Sequence, residues 1–164
     1  MAEIMLAATF QAEGLGGEVS VDSAGTTGYE VGRPIDPRAA RQLAAANLSS
    51  EHHVAREWQA RWFRDRDLIL ALDVDHYGWL RDAAPDQESM AKVRMLRGFD
   101  AEVSGQDLLD QGIEDPWYGG HNDFDTVWHQ IQGAIPGIVE YVRAALRQEA
   151  RQQQQMPQKV RSIS

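Results

Sequence analysis

The 164-residue chain carries a formal charge of -9, 43% hydrophobic and 25% charged residues, and no cysteine. That length supports one domain with a buried core, and the acidic balance without a basic patch argues against a nucleic-acid partner. Disulfides, thiolate metal sites and a cysteine nucleophile are all excluded within these residues. No apolar run approaches the roughly 20 residues of a membrane helix, which argues against a membrane partner. The start, MAEIMLAATFQAE, has no basic opening and carries Glu3, so it does not read as a signal peptide, and a cytoplasmic location is expected.

In chain order, residues 1–12 read as a helix with Ile4, Met5, Ala8 and Phe10 on one face, ended by Gly14, Gly16 and Gly17. Residues 18–23 read as a short strand running into Ala24-Gly25-Thr26. Asp36-Pro37 is a helix start, Asp36 as N-cap and Pro37 in the first turn, for a helix reaching about Asn47. A second short helix is expected over residues 56–63. Residues 67–73 form an apolar run between two aspartates, the pattern of a strand buried on both faces.

A helix over residues 75–83 follows, ending near Pro85, and then a strand over residues 92–96. Residues 97–122 lack periodicity, and so long a loop in a compact domain is usually functional or disordered. The last helix is capped by Asn122 or Asp123, carries Phe124, Val127, Ile131, Ile138 and Val142 on one broad face, and should kink at Pro136. The Gln-rich stretch 147–164 reads as a disordered tail behind a domain spanning residues 1–146. Alternating strands and helices indicate an α/β domain with a parallel sheet.

Within the long loop, Ile113-Glu114-Asp115-Pro116-Trp117-Tyr118-Gly119-Gly120 sets a carboxylate beside two aromatic rings. Such a loop can present a proton donor at an aromatic-walled slot, although Asp-Pro and Gly-Gly are also ordinary turn chemistry. Two further sets invite a metal reading: His53 with Glu57, and Asp73 with Asp75 and His76. Neither has a third ligand at a convincing spacing, so no metal site is assigned.

Taken in order, Val21 to Thr26, Gly32 to Ala39, His53 to Arg56, Asp67 to Asp73, Ala91 to Leu96 and Glu114 to Gly120 resemble the low-molecular-weight protein tyrosine phosphatases, most closely their bacterial branch. The resemblance covers about residues 1–146. It implies a flavodoxin-like fold with parallel strands in order 2-1-3-4 and no cofactor. It also implies a phosphate-cradling loop C-x5-R-S/T-P after the first strand. The family commonly continues Met-Ala-Glu there, as Met1-Ala2-Glu3 does, so the first strand and its loop are expected to be missing from this chain.

The resemblance gives Asp115 the role of general acid and then base, with Trp117, Tyr118 and Tyr29 walling a slot for the phenyl ring. It gives His53, with Ser23, a part in holding the phosphate loop by hydrogen bonds. The expected substrate is a phosphotyrosine protein or aryl phosphate; nothing in the sequence speaks to oligomeric state. Lacking the family's cysteine and arginine, the chain alone is expected to be inactive and, deprived of an interior strand, marginally stable. Two other readings compete: a non-catalytic phosphotyrosine-binding module, and an arsenate reductase, which would require several cysteines.

Overall fold

The computed structural model describes residues 1–116 and 121–155. Its elements are helix α1 (Ala2–Ala12), α2 (Pro37–Ala45), α3 (Trp62–Asp65), strand β1 (Ile69–Ala71), α4 (Val74–Ala83), α5 (Gln87–Ala91), β2 (Val93–Met95), a 3-10 turn (Leu96–Phe99) and the long helix α6 (His121–Gln155). The two strands pair in parallel, with Ile69, Leu70 and Ala71 opposite Val93, Arg94 and Met95. Parallel strands need a crossover, and α4 and α5 supply it.

Strand side chains alternate between two cores. Ile69, Ala71, Val93 and Met95 join Phe63 and Leu80 on one face. Leu70 packs on the other face, against a larger cluster built from Met5, Leu6 and Phe10 of α1, Leu43 of α2, Leu96, Ile113, and Val127, Ile131, Ala134, Ile138 and Val139 of α6. Helices thus cover both sides of the strands, which explains the unbroken apolar run in the sequence.

Several helix starts follow local rules. Asp36 accepts the Arg38 amide at 2.7 Å, with Pro37 in the first turn. Asp73 and Asp86 cap α4 and α5 in the same way, each at 2.7 Å. Asn47 takes a left-handed φ of 59° just beyond α2, a conformation that asparagine tolerates better than most residues. α6 runs through Pro136 without interruption, and Gly133 and Gly137 form a notch in it. Side chains there would collide with the Asp100 carboxylate and the Phe99 carbonyl, so the notch lets the 3-10 turn lie directly on the helix.

Three expectations need correction. Residues 18–23 run without helix or strand assignment, because no strand lies beside them among the described residues and an extended segment becomes a strand only by pairing. Side chains tie them down instead: Asp22 pairs with Arg66 at 2.5 Å and Arg56 at 3.3 Å, and both guanidinium groups lie 5.4 Å from the Trp62 ring.

The helix expected over residues 56–63 is only Trp62–Asp65. Residues 54–58 spend their backbone groups on the loop before them. Gly25 donates to Arg56 O at 2.8 Å, Trp58 donates to Gly25 O at 2.9 Å, and Ala55 and Gly32 bond Arg33 and Ala55 likewise. The sheet therefore has two strands among the described residues rather than three. Residues 147–155, assigned from sequence to the tail, continue α6 as exposed helix; residues 156–164 lie outside the described residues.

Candidate active site

The carboxyl edge of β1 organises the site, as in other parallel α/β sheets. Just past the strand, Leu72 O accepts a hydrogen bond from Ile113 N at 2.8 Å. The Ile113 side chain is buried in the larger core. The chain is therefore pinned two residues before Asp115, which itself is exposed. Trp117 and Tyr118, the expected aromatic walls, lie outside the described residues.

Arg38 stands near Asp115. Hydrogen bonds to Asp36, at 3.1 Å from Nε and 2.9 Å from Nη2, hold its guanidinium. These bonds foremost, opposed by burial and reinforced by the charges of Asp36 and Asp115, raise the pKa of Arg38 above its ordinary value. The same pairing lowers the Asp36 carboxyl below the usual range, with burial acting against it. The guanidinium also sits 4.6 Å over the Phe124 ring, at the start of α6. Neither Arg38 nor Phe124 was marked as a site residue from the sequence. The only signal available was an arginine two positions beyond a capping aspartate.

Ser23 and His53 come together on a residue that the sequence reading did not assign to the site. Ser23 Oγ donates to Glu3 Oε2 at 2.5 Å, and His53 Nδ1 lies 3.2 Å from the same oxygen. Glu3 occupies the first turn of α1, where a carboxylate is favoured by the helix dipole. An acidic residue interrupting an apolar helix start was the available signal. Three elements thus meet at one half-buried carboxylate: α1, the extended segment and the turn before residue 54.

Tyr29 projects from the loop of residues 25–34 and is 85% exposed, with Val31 and Val54 exposed nearby in the paired segments. Asp73, considered above as a metal ligand, instead caps α4 and pairs with His76 Nδ1 at 2.8 Å. No cluster of three potential metal ligands occurs among the described residues, and no helix among them is long and apolar enough to cross a membrane.

The family profile described as low molecular weight phosphotyrosine protein phosphatase matches residues 1–154. A low molecular weight protein-tyrosine-phosphatase of Streptomyces coelicolor is 40% identical over 143 residues, covering 87% of this chain and 85% of that protein. Low molecular weight protein-tyrosine phosphatase A of Mycobacterium bovis is 41% identical over 142 residues, covering 87% of this chain and 82% of the relative. In three dimensions, the crystal structure of a protein tyrosine phosphatase from Entamoeba histolytica superposes with a TM-score of 0.79 over 88% of each chain. At 24% identity that likeness speaks for the fold.

Proposed function

Because this chain belongs to the low-molecular-weight phosphotyrosine protein phosphatases, we propose that Asp115 is the proton donor and acceptor of its phosphatase reaction. The substrate would be a phosphotyrosine protein or another aryl phosphate, met in the cytoplasm. A thiolate attacks phosphorus, the bond from phosphorus to the aryl oxygen breaks, and Asp115 gives its proton to the departing phenolate. Water then attacks the thiophosphate, Asp115 takes its proton, and the bond from sulfur to phosphorus breaks to release phosphate. Residues 1–164 hold no cysteine, so the thiolate of this reaction would have to come from outside them, and the family's loop would bring the clamping arginine with it.

The observation that carries this reading is the 2.8 Å bond from Ile113 N to Leu72 O. It supports a proton donor held at the carboxyl edge of a parallel strand, where ligands of such sheets bind. Tyr29, Trp117 and Tyr118 would wall the slot for the ring. Glu3, through Ser23 and His53, would brace the first turn of α1, whose amino end suits a phosphate dianion.

The test uses the longest gene product containing residues 1–164, assayed with aryl phosphates of differing leaving groups. Asp115→Asn should lower kcat for phenyl phosphate by about 10²–10⁴-fold, the usual contribution of a placed general acid. Dinitrophenyl phosphate, whose phenolate leaves unprotonated, should lose far less. An equal loss for both substrates would remove Asp115 from the proton-donor role.

A further inference from the structure

We propose that Arg97 is a positioning residue for Asp115, closing the neck of the loop 100–113 and so fixing where residues 112–115 leave the edge of β1. The proposal rests on the reading of Asp115 as the proton donor. Arg97 lies in the 3-10 turn directly after β2, and its side chain is only 13% exposed. A guanidinium so far from water requires acceptors, and it finds them at the closing end of one loop while facing a carboxylate at its opening end. Nη1 donates to Asp110 O at 3.1 Å and to Gly112 O at 3.4 Å. Nε makes no hydrogen bond, and lies 3.8 Å from the buried Asp100 carboxylate, within reach of charge attraction alone.

The loop between those ends is organised from within. Asp100 starts it: its Oδ1 accepts the Glu102 amide at 3.0 Å, and its carbonyl accepts the Val103 and Ser104 amides at 3.1 and 2.8 Å. Gln111, 8% exposed, closes it by donating to Gln106 O at 2.9 Å. A compact loop with neighbouring ends and its own internal packing is an Ω-loop, a form often found at functional sites. Among the described residues, Arg97 is the one side chain that bonds its closing carbonyls while facing its opening carboxylate. Gly112 lies three residues before Asp115, a span of at most about 10 Å of chain. Tilting the Gly112 peptide therefore moves the Asp115 carboxylate directly.

Lysine can reproduce this arrangement only in part: an ammonium could donate to both carbonyls that Nη1 serves, but it has no second nitrogen to face the Asp100 carboxylate. Arg97→Met keeps the apolar stem and removes the fork, leaving the Asp110 and Gly112 carbonyls without their donor. A residue that only supported the fold would lower the activity on every substrate alike. A residue that positions the proton donor lowers it according to the leaving group, as loss of Asp115 would.

Two measurements test this. In the longest gene product containing residues 1–164, hydrogen exchange should show the Ile113 amide opening about 10-fold faster in Arg97→Met, while the Ile69 amide, bonded to Lys92 O in the strand pair, keeps its protection. Unchanged Ile113 protection, or equal loss at both amides, overturns the proposal. In the longest gene product containing these residues, Arg97→Met should cut kcat for phenyl phosphate by about 10–100-fold, the effect of an ångström-scale misplacement. It should leave dinitrophenyl phosphate nearly unchanged, with Arg97→Lys in between. Asp115→Asn is run alongside: if it alone shows the leaving-group effect, Arg97 is not a positioning residue. If neither variant shows it, the reading of Asp115 falls, and exchange at Ile113 still decides whether Arg97 holds the loop.

Discussion

Residues 100–113 close on themselves through backbone and buried side-chain bonds, whereas residues 19–24 are tied to the rest of the molecule by side chains. In the first region, Asp100, Gln111 and Ile113 are buried, and the bonds run to peptide carbonyls. In the second, Asp22, Ser23, Arg56 and Arg66 are linked at partly exposed positions. Bonds shielded from water would hold the proposed proton donor at a fixed level under most conditions. Partly exposed ion pairs are weakened by salt and by acid. The two sides of the candidate site should therefore fail under different challenges.

The largest effect is expected beneath the first region. In Gly137→Ala the added methyl would overlap the Phe99 carbonyl oxygen, a backbone atom that cannot swing aside. Overpacking of this kind costs about 1–3 kcal/mol, and a domain of this size loses about 2–4 °C of Tm per kcal/mol. Thermal unfolding should show a drop of several degrees, and an unchanged Tm would mean that the 3-10 turn does not rest on the helix.

A smaller effect is expected where Ser23 and His53 meet Glu3. Glu3→Gln, which keeps an acceptor for Ser23 and loses the charge, should destabilise by about 1 kcal/mol, below the roughly 1.5–3 kcal/mol of a full hydrogen bond to a charged group. A double-mutant cycle with His53→Ala should recover a coupling of about 0.5–1 kcal/mol. Strict additivity would separate the two residues.

The smallest effect is the acid sensitivity of the second region. The hydrogen bond from Arg66 foremost, against opposing burial and with help from the charges of Arg66 and Arg56, holds the Asp22 carboxyl below its ordinary value. Its folded-state pKa is depressed, so its contribution is present above the unfolded value near 4 and is lost as pH falls through the folded one. Because the group is largely open to water, screening limits that contribution to about 0–1 kcal/mol. Denaturant midpoints of Asp22→Asn and the parent should therefore differ at pH 7 and converge toward pH 3. A gap that persists in acid would assign the difference to packing rather than charge.

Much of this molecule is legible locally. Asp36-Pro37 announces α2 because a capping carboxylate and a preset φ act within one turn. The apolar run after Asp67 announces a buried strand, and the stripe from Phe124 to Val142 announces α6. Residues 18–23 and 56–63 mislead because each has the composition of a regular element, while backbone pairing decides its state: the first finds no strand beside it among the described residues, and the second pairs with a distant loop. Pairing of residues 54–58 with the 25–34 loop removes the amides that a helix would need. The Gly133 and Gly137 notch was equally invisible, since glycine in a helix shows its purpose only when another backbone rests on it.

By itself, the sequence determined the α/β class, the family and the Asp-Pro loop, because ordered motifs and hydrophobic periodicity are properties of consecutive residues. Only the tertiary structure decided that Glu3 collects Ser23 and His53, that Arg38 stands near Asp115, and that Arg97 closes the loop leading to it. Those groups are separated by many residues and meet only when the sheet and α6 bring distant segments together. Hydrogen bonds and charges act over a few ångströms of space, and chain order does not record that distance.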